Sequence, residues 1–97
     1  MKIKEKELNK VIKETEDEIR KESGLCYSFA VYRVCNDFIE VSYGRPNGGD
    51  VWLVITNDTD CGEFDICELS GIEDSLDIWV CDLLVKKIND NLNKIVK

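Results

Sequence analysis

The chain has 97 residues, 43% of them hydrophobic, which suffices for one small core and predicts a single domain over residues 1–97. It contains no histidine, which excludes mixed cysteine–histidine zinc sites and Ser–His or Cys–His catalytic arrangements. A net charge of −7 argues against direct binding to nucleic acid or to an anionic membrane. The lack of a long apolar run argues against a membrane-spanning helix.

The amino terminus, MKIKEKELNK, carries charge with no apolar stretch behind it, so we expect no signal peptide and a cytoplasmic protein. In that compartment the five cysteines are expected to be reduced thiols: Cys26, Cys35, Cys61, Cys67 and Cys81. Cys26, Cys35 and Cys81 are interpreted as small buried hydrophobic residues. Cys61 is expected to be exposed, and its acidic neighbours make it a poor nucleophile.

The first predicted element is a helix over residues 4–23. Its least polar residues recur at helical spacing along one narrow stripe: Leu8, Val11, Ile12, Thr15 and Ile19. Gly24 is placed to end the helix in a left-handed conformation. The remaining surface of the helix is charged, so we expect it to lie on the outside of a flatter layer.

Three segments rich in β-branched and aromatic residues predict strands: residues 25–34, 38–43 and 51–56. In the first, strict alternation groups Val34 with Tyr32, and Arg33 with Val31. GRPNGGD, residues 44–50, predicts a tight turn between the second and third strands. Residues 64–69 fit either a short fourth strand or an extended approach to the last helix.

The last helix is expected to start near Glu73 or Ser75. Ser70 and Glu73 have capping-box spacing, and Asp74 and Ser75 are alternative N-caps. The helix is apolar almost all round over residues 76–85. Its second half has only a narrow apolar stripe and is expected to project from the domain or to cover an edge of the sheet. The predicted fold is α+β with two layers: an N-terminal helix, a three- or four-stranded antiparallel sheet and a C-terminal helix, with both helices on one face.

Acidic residues are concentrated in one window of the chain. Residues 46–85 contain no Lys or Arg and ten acids, and these are the candidate partner-binding residues: Asp50, Asp58, Asp60, Glu63, Asp65, Glu68, Glu73, Asp74, Asp77 and Asp82. Alternation groups Glu63 with Asp65 on one side of the segment, while helical spacing groups Asp74, Asp77 and Asp82 on nearby flanks. Such a window favours a basic protein partner.

The segment 57–68, NDTDCGEFDICE, is the basis of an alternative of another class, a small metal-binding or catalytic protein. Counted from Asn57, its glycine and its last two acids match EF-hand positions, but Thr59 and Cys61 stand where calcium requires oxygen ligands from acids. The chain contains no CxxC pair. We therefore expect no metal, no cofactor and no enzymatic activity.

The leading hypothesis is a protein–protein interaction module, an inhibitor that presents an acidic, nucleic-acid-mimicking surface to a basic nucleic-acid-binding protein. In size and acidity, although in no motif, the chain is similar to anti-CRISPR proteins and other phage-encoded inhibitors that mimic DNA. An immunity protein that neutralises a basic toxin nuclease is the alternative within this class. Trp52, Tyr43 and Tyr32 are candidate aromatic anchors of the interface, and the oligomeric state is left open.

Overall fold

A computed structural model describes residues 2–57 and 62–96. Its elements follow in this order: α1 Glu5–Ser23, β1 Ser28–Val34, β2 Phe38–Gly44, β3 Asp50–Asn57, β4 Phe64–Ser70, α2 Ser75–Asp90 and α3 Leu92–Ile95. The strands form one antiparallel sheet in the order β1-β2-β3-β4, each paired with its neighbour in the chain. The predicted two-layer α+β fold is confirmed, and residues 64–69 belong to a fourth strand.

Helix α1 forms as the periodicity predicts. The five residues of its stripe are all buried, from Leu8 to Ile19. Gly24 adopts φ 74°, and its N–H donates to the carbonyl oxygen of Arg20 at 2.9 Å, which ends the helix. The helix therefore covers the sheet with its apolar stripe and exposes its charged surface to solvent.

The core lies between the sheet and the helices. Alternate residues of the two central strands are buried on this side: Ile39, Val41 and Tyr43 of β2, and Val51, Leu53 and Ile55 of β3. The alternate positions of β2 and β3 point to the opposite side, which no described helix covers. The central strands thus separate a buried face from an open one.

A register shift in β1 corrects the predicted facing of its last residues. The pairing passes from Val31 opposite Val41 to Arg33 opposite Glu40, which leaves Tyr32 as the extra residue of a bulge. Val34 consequently packs against the core, and Arg33 turns to the open side. Strict alternation had assigned these two residues to the opposite faces.

The C-terminal helical segment is interrupted, whereas the sequence predicted a single helix. Asp74 is the N-cap of α2 and accepts a hydrogen bond from the backbone N–H of Asp77 at 3.1 Å, so of the proposed caps Asp74 is used. The break falls at Asn91, between α2 and α3. Ile88 and Ile95 on either side of it are fully buried, so this part of the chain extends the core.

Side chains occupy part of each outer edge of the sheet. On β1, the carboxylate of Glu16 accepts from the backbone N–H of Phe29 at 2.8 Å. On β4, the side-chain amide of Asn89 pairs with both the N–H and the carbonyl of Phe64, at 2.8 and 2.9 Å. These contacts shorten the stretch of edge that could pair with another strand.

Among the described helices, none combines the length and the apolarity that crossing a membrane requires.

Candidate partner-binding surface

The surface of the sheet that faces away from the helices is here called the open sheet face. It consists of Ser28, Ala30, Tyr32, Arg33, Phe38, Glu40, Ser42, Asp50, Trp52, Val54, Thr56, Asp65, Glu68 and Ser70. All of these residues are exposed or partly exposed. The face is therefore accessible to another molecule.

Three of the ten predicted acids lie on this face: Asp50, Asp65 and Glu68. Asp65 is opposite Thr56, and Glu68 is opposite Val54. A fourth carboxylate, that of Glu40 in β2, lies on the same face and is opposite Val54 of β3. We call these residues the four face carboxylates: Glu40, Asp50, Asp65 and Glu68. Glu40 precedes the acidic window of residues 46–85, so charge counting along the chain does not include it, although its place in strand 38–43 could have identified it.

The other predicted acids are distributed elsewhere. Glu63 is exposed just before β4, Glu73 and Asp74 are exposed at the start of α2, and Asp82 is exposed further along that helix. Asp58 and Asp60 lie outside the described residues. The ten acids of the window therefore do not form one continuous surface.

Asp77 is a correction to the predicted surface, because its side chain is buried, with 1% of the residue exposed. Arg45 binds both carboxylate oxygens through Nε, at 3.1 and 3.0 Å. Tyr43 donates its hydroxyl to Oδ1 at 2.9 Å, and the N–H of Glu73 donates to Oδ2 at 3.0 Å. Asp77 is thus an internal partner of Arg45 and joins α2 to the turn between β2 and β3.

The protonation of this cluster follows from its contacts. Desolvation alone would raise the pKa of Asp77, but hydrogen bonds from Arg45, from the Glu73 N–H and from Tyr43 hold that pKa below its ordinary value of 3.8. The pKa of Tyr43 is raised, first by burial and further by the thiol of Cys81 and the carboxylate of Asp77. Asp77 is therefore ionised and Tyr43 is protonated at neutral pH.

The open sheet face contains a single cationic side chain among the described residues. Among the described residues, Arg33 is the only Lys or Arg on this face, and its guanidinium lies 5.0 Å from the centre of the Phe38 ring. None of the four face carboxylates forms an ion pair within the described part of the chain. The helices, in contrast, mix both signs and contain the pairs Lys10–Glu7, Arg20–Asp17, Lys86–Asp90 and Lys87–Glu18.

Two of the three predicted aromatic anchors are on the open sheet face. Tyr32 is 66% exposed, and Trp52 is partly exposed and donates its indole N–H to Glu40 at 2.8 Å. Tyr43 is in the core, with its ring edge-on to those of Tyr27 and Phe29 at centroid distances of 5.4 and 5.3 Å. Tyr43 is therefore a packing residue and is unavailable to a partner.

The cysteines differ from the predicted pattern at one position. Cys81 is buried as predicted, and Cys35 is partly buried. Cys26 is exposed, because β1 begins at Ser28 and leaves this cysteine in the connection from α1. Cys67 is also exposed, and Cys61 lies outside the described residues.

We expect thiol labelling to separate these residues. Burial raises the pKa of Cys81 to about 11; the hydrogen bond with Tyr43 opposes this shift in part, and the negative charges of Asp77 and Asp82 add smaller increases. Iodoacetamide at pH 8 should therefore label Cys26 and Cys67 in the native protein and leave Cys81 unmodified until urea is added. Peptide-resolved mass spectrometry measures each site, and rapid native labelling of Cys81 would contradict this packing.

The metal-binding alternative finds no cluster in the described structure. Across residues 2–57 and 62–96, no three Cys, Asp or Glu side chains come together as a metal site requires. Residues 58–61 of the loop on which that alternative depends lie outside these ranges. The alternative therefore gains no support from the described part of the chain.

No protein-family model, curated protein or solved structure matches the chain.

Proposed function

We propose that the chain is a protein–protein interaction module that inhibits a basic, nucleic-acid-binding protein by occupying its basic surface with the open sheet face. The observation that carries the proposal is the segregation of charge. The four face carboxylates form no ion pair among the described residues, whereas the acids of the helices are interspersed with lysines. A basic partner would be attracted to this face and would find exposed aromatic side chains on it.

The density of charge defines the mode of binding. Strand β3 has eight residues and so extends about 27 Å. Over that length a DNA duplex carries about 16 negative charges, compared with the four face carboxylates. The proposed inhibitor therefore acts through a few spaced contacts with basic side chains, supported by apolar contacts, and does not reproduce the continuous field of a duplex.

The same face would suit an immunity protein bound to a basic toxin nuclease, since both roles need an acidic surface that blocks a nucleic-acid-binding groove. The two roles differ in the partner alone. Small phage-encoded inhibitors, anti-CRISPR proteins among them, are similar to this chain in size and acidity, which is why the inhibitor is the first proposal. The identity of the inhibited protein separates them.

Two charge-matched variants test the proposal. The face-neutral variant contains Glu40→Gln, Asp50→Asn, Asp65→Asn and Glu68→Gln. The helix-neutral variant contains Glu5→Gln, Glu14→Gln, Glu22→Gln and Asp82→Asn, all at exposed helical positions without ion pairs in the described structure. Each variant removes four negative charges, so net charge is the same in both and only its location differs.

The measurement is binding to a panel of purified basic proteins that includes CRISPR nucleases, DNA-binding proteins and toxin nucleases, with their nucleic-acid binding or cleavage as the second readout. We expect the wild-type chain to inhibit at least one of them, and the face-neutral variant to lose about tenfold in affinity and much of its salt dependence. The helix-neutral variant should change by less than about threefold. Equal losses in both variants, or no inhibition anywhere in the panel, would overturn the proposal.

A further inference from the structure

The open sheet face contains a shallow concavity of about 450 Å³ that spans three strands. It is lined by Tyr32 of β1, Glu40 and Ser42 of β2, and Asp50 and Trp52 of β3. Its size is within the range of sites that hold small ligands or single side chains. Two aromatic rings, two carboxylates and one hydroxyl therefore converge on one depression.

The two carboxylates lie at opposite ends of this depression. Glu40 is opposite Val54, which is four residues along β3 from Asp50. Trp52, which is opposite Ser42, lies between these two positions. Four residues of strand correspond to about 13 Å. The concavity is thus a short groove with a negative group at each end, Trp52 between them and Tyr32 beside the Glu40 end.

One end of the groove is already fixed in position. The indole N–H of Trp52 donates to Oε2 of Glu40 at 2.8 Å, which orients the ring and the carboxylate together. The other oxygen, Oε1, remains able to accept hydrogen bonds from a ligand. Neither Glu40 nor Asp50 forms an ion pair in the described part of the chain: Arg33 is opposite Glu40 in the sheet, but its guanidinium lies over the ring of Phe38. The groove therefore combines acceptors that need a positive donor with an aromatic surface held in place.

A guanidinium group fits this chemistry better than an ammonium group. It stacks on aromatic rings, is weakly hydrated and donates two parallel hydrogen bonds to a carboxylate. The same face shows such a contact within the chain, since Arg33 lies over the ring of Phe38. Lysine could satisfy the charge but would lose the planar stacking and the paired hydrogen bonds.

We propose that the groove formed by Tyr32, Glu40, Ser42, Asp50 and Trp52 binds an arginine-rich segment of the partner, with one guanidinium stacked on the aromatic rings and bound by a carboxylate. This inference rests on the proposed function and specifies the group that the open sheet face recognises. The partner's segment is defined by its arginines and not by positive charge in general.

The test compares octaarginine and octalysine peptides as probes, with the backbone amide signals of the open sheet face in ¹H–¹⁵N NMR spectra reporting affinity in every variant and the indole N–H signals reporting where the peptide binds. We expect octaarginine to bind about threefold to fivefold more tightly than octalysine. It should shift the Trp52 signal more than that of Trp79, which lies in α2 and packs against the core. Trp52→Ala and the double variant Glu40→Gln/Asp50→Asn should abolish this preference. The control Glu14→Gln/Asp82→Asn removes two charges from the helices and should preserve it.

The outcomes separate this inference from the function on which it rests. If the two peptides bind with equal affinity and the face-neutral variant binds neither, the proposed arginine groove is wrong, and the acidic face is still a binding surface. A preference for octaarginine that survives in Trp52→Ala and in Glu40→Gln/Asp50→Asn would also overturn the arginine groove, as would the absence of binding by either peptide. The proposed function is decided independently by the panel of basic proteins.

Discussion

Replacing Asp77 with alanine is expected to lower the free energy of unfolding by about 2 to 4 kcal/mol. The substitution leaves the guanidinium of Arg45, whose side chain is 5% exposed, without its main partner, and it also deprives the buried hydroxyl of Tyr43 of an acceptor. Arg45 and Asp77 also line a concavity of about 160 Å³. The lower end of the range applies if water enters this concavity and screens the unpaired guanidinium. In a domain of this size such a loss lowers Tm by more than about 8 °C, measurable by calorimetry.

Two further variants show whether the loss comes from an unpaired buried charge. Asp82→Ala removes an exposed acid from the same helix and should change stability by no more than about 0.5 kcal/mol. The double variant Arg45→Met/Asp77→Leu replaces both partners with apolar side chains and should recover at least half of the loss. If Asp77→Ala and Asp82→Ala have the same small effect, the buried pair does not contribute to stability as inferred.

The contribution of Asp77 should also depend on pH. Because its native pKa is below the ordinary value of 3.8, the unfolded chain takes up a proton first as the pH falls. The stabilisation is therefore fully present above that value and is lost as the pH falls through the native pKa. The difference in unfolding free energy between wild type and Asp77→Asn should be constant from about pH 5 to 8 and should shrink below pH 3.8. A difference that grows on acidification would contradict the assigned charge state.

Gly71→Ala is the second substitution for which we expect a large effect, a loss of more than about 2 kcal/mol in unfolding free energy. Gly71 has φ 87°, a conformation that costs free energy for any residue with a Cβ atom. A Cβ here would overlap the carbonyl oxygen of Asp50 and lie 3.3 Å from the Cα of Val51. Because these are backbone atoms of β3, they cannot move aside as a flexible side chain would.

Gly48→Ala is the matched control. Gly48 also has positive φ, 97°, but apart from its own atoms and those of its two chain neighbours no heavy atom lies within 4 Å of the place where its Cβ would be. The control therefore isolates the conformational cost, about 1 kcal/mol. Chemical denaturation of the two variants should show Gly71→Ala as the less stable by at least about 1 kcal/mol. Equal losses would mean that the connection from β4 to α2 can shift away from β3.

Local patterns were sufficient to predict most of the elements. Periodicity identified the stripe of α1, and glycine chemistry identified its end at Gly24, because both depend on neighbours in the chain. Short connections predicted antiparallel neighbours, which the sheet confirms. The same reasoning could not distinguish, for residues 64–69, a fourth strand from an extended segment that leads to the last helix. A short apolar segment becomes a strand only when another strand pairs with it.

The sequence by itself determined the α+β architecture, the concentration of acids in residues 46–85 and the absence of histidine chemistry. Only the tertiary structure decided which acids can meet a partner. Spacing along α2 grouped Asp77 with exposed neighbours, yet Arg45, distant in sequence, binds it inside the fold. Glu40, outside the window, joins Asp65 and Glu68 because strand pairing aligns residues from separate segments. Charge in a sequence is ordered along one dimension, whereas a binding surface forms from strands and turns that folding brings together.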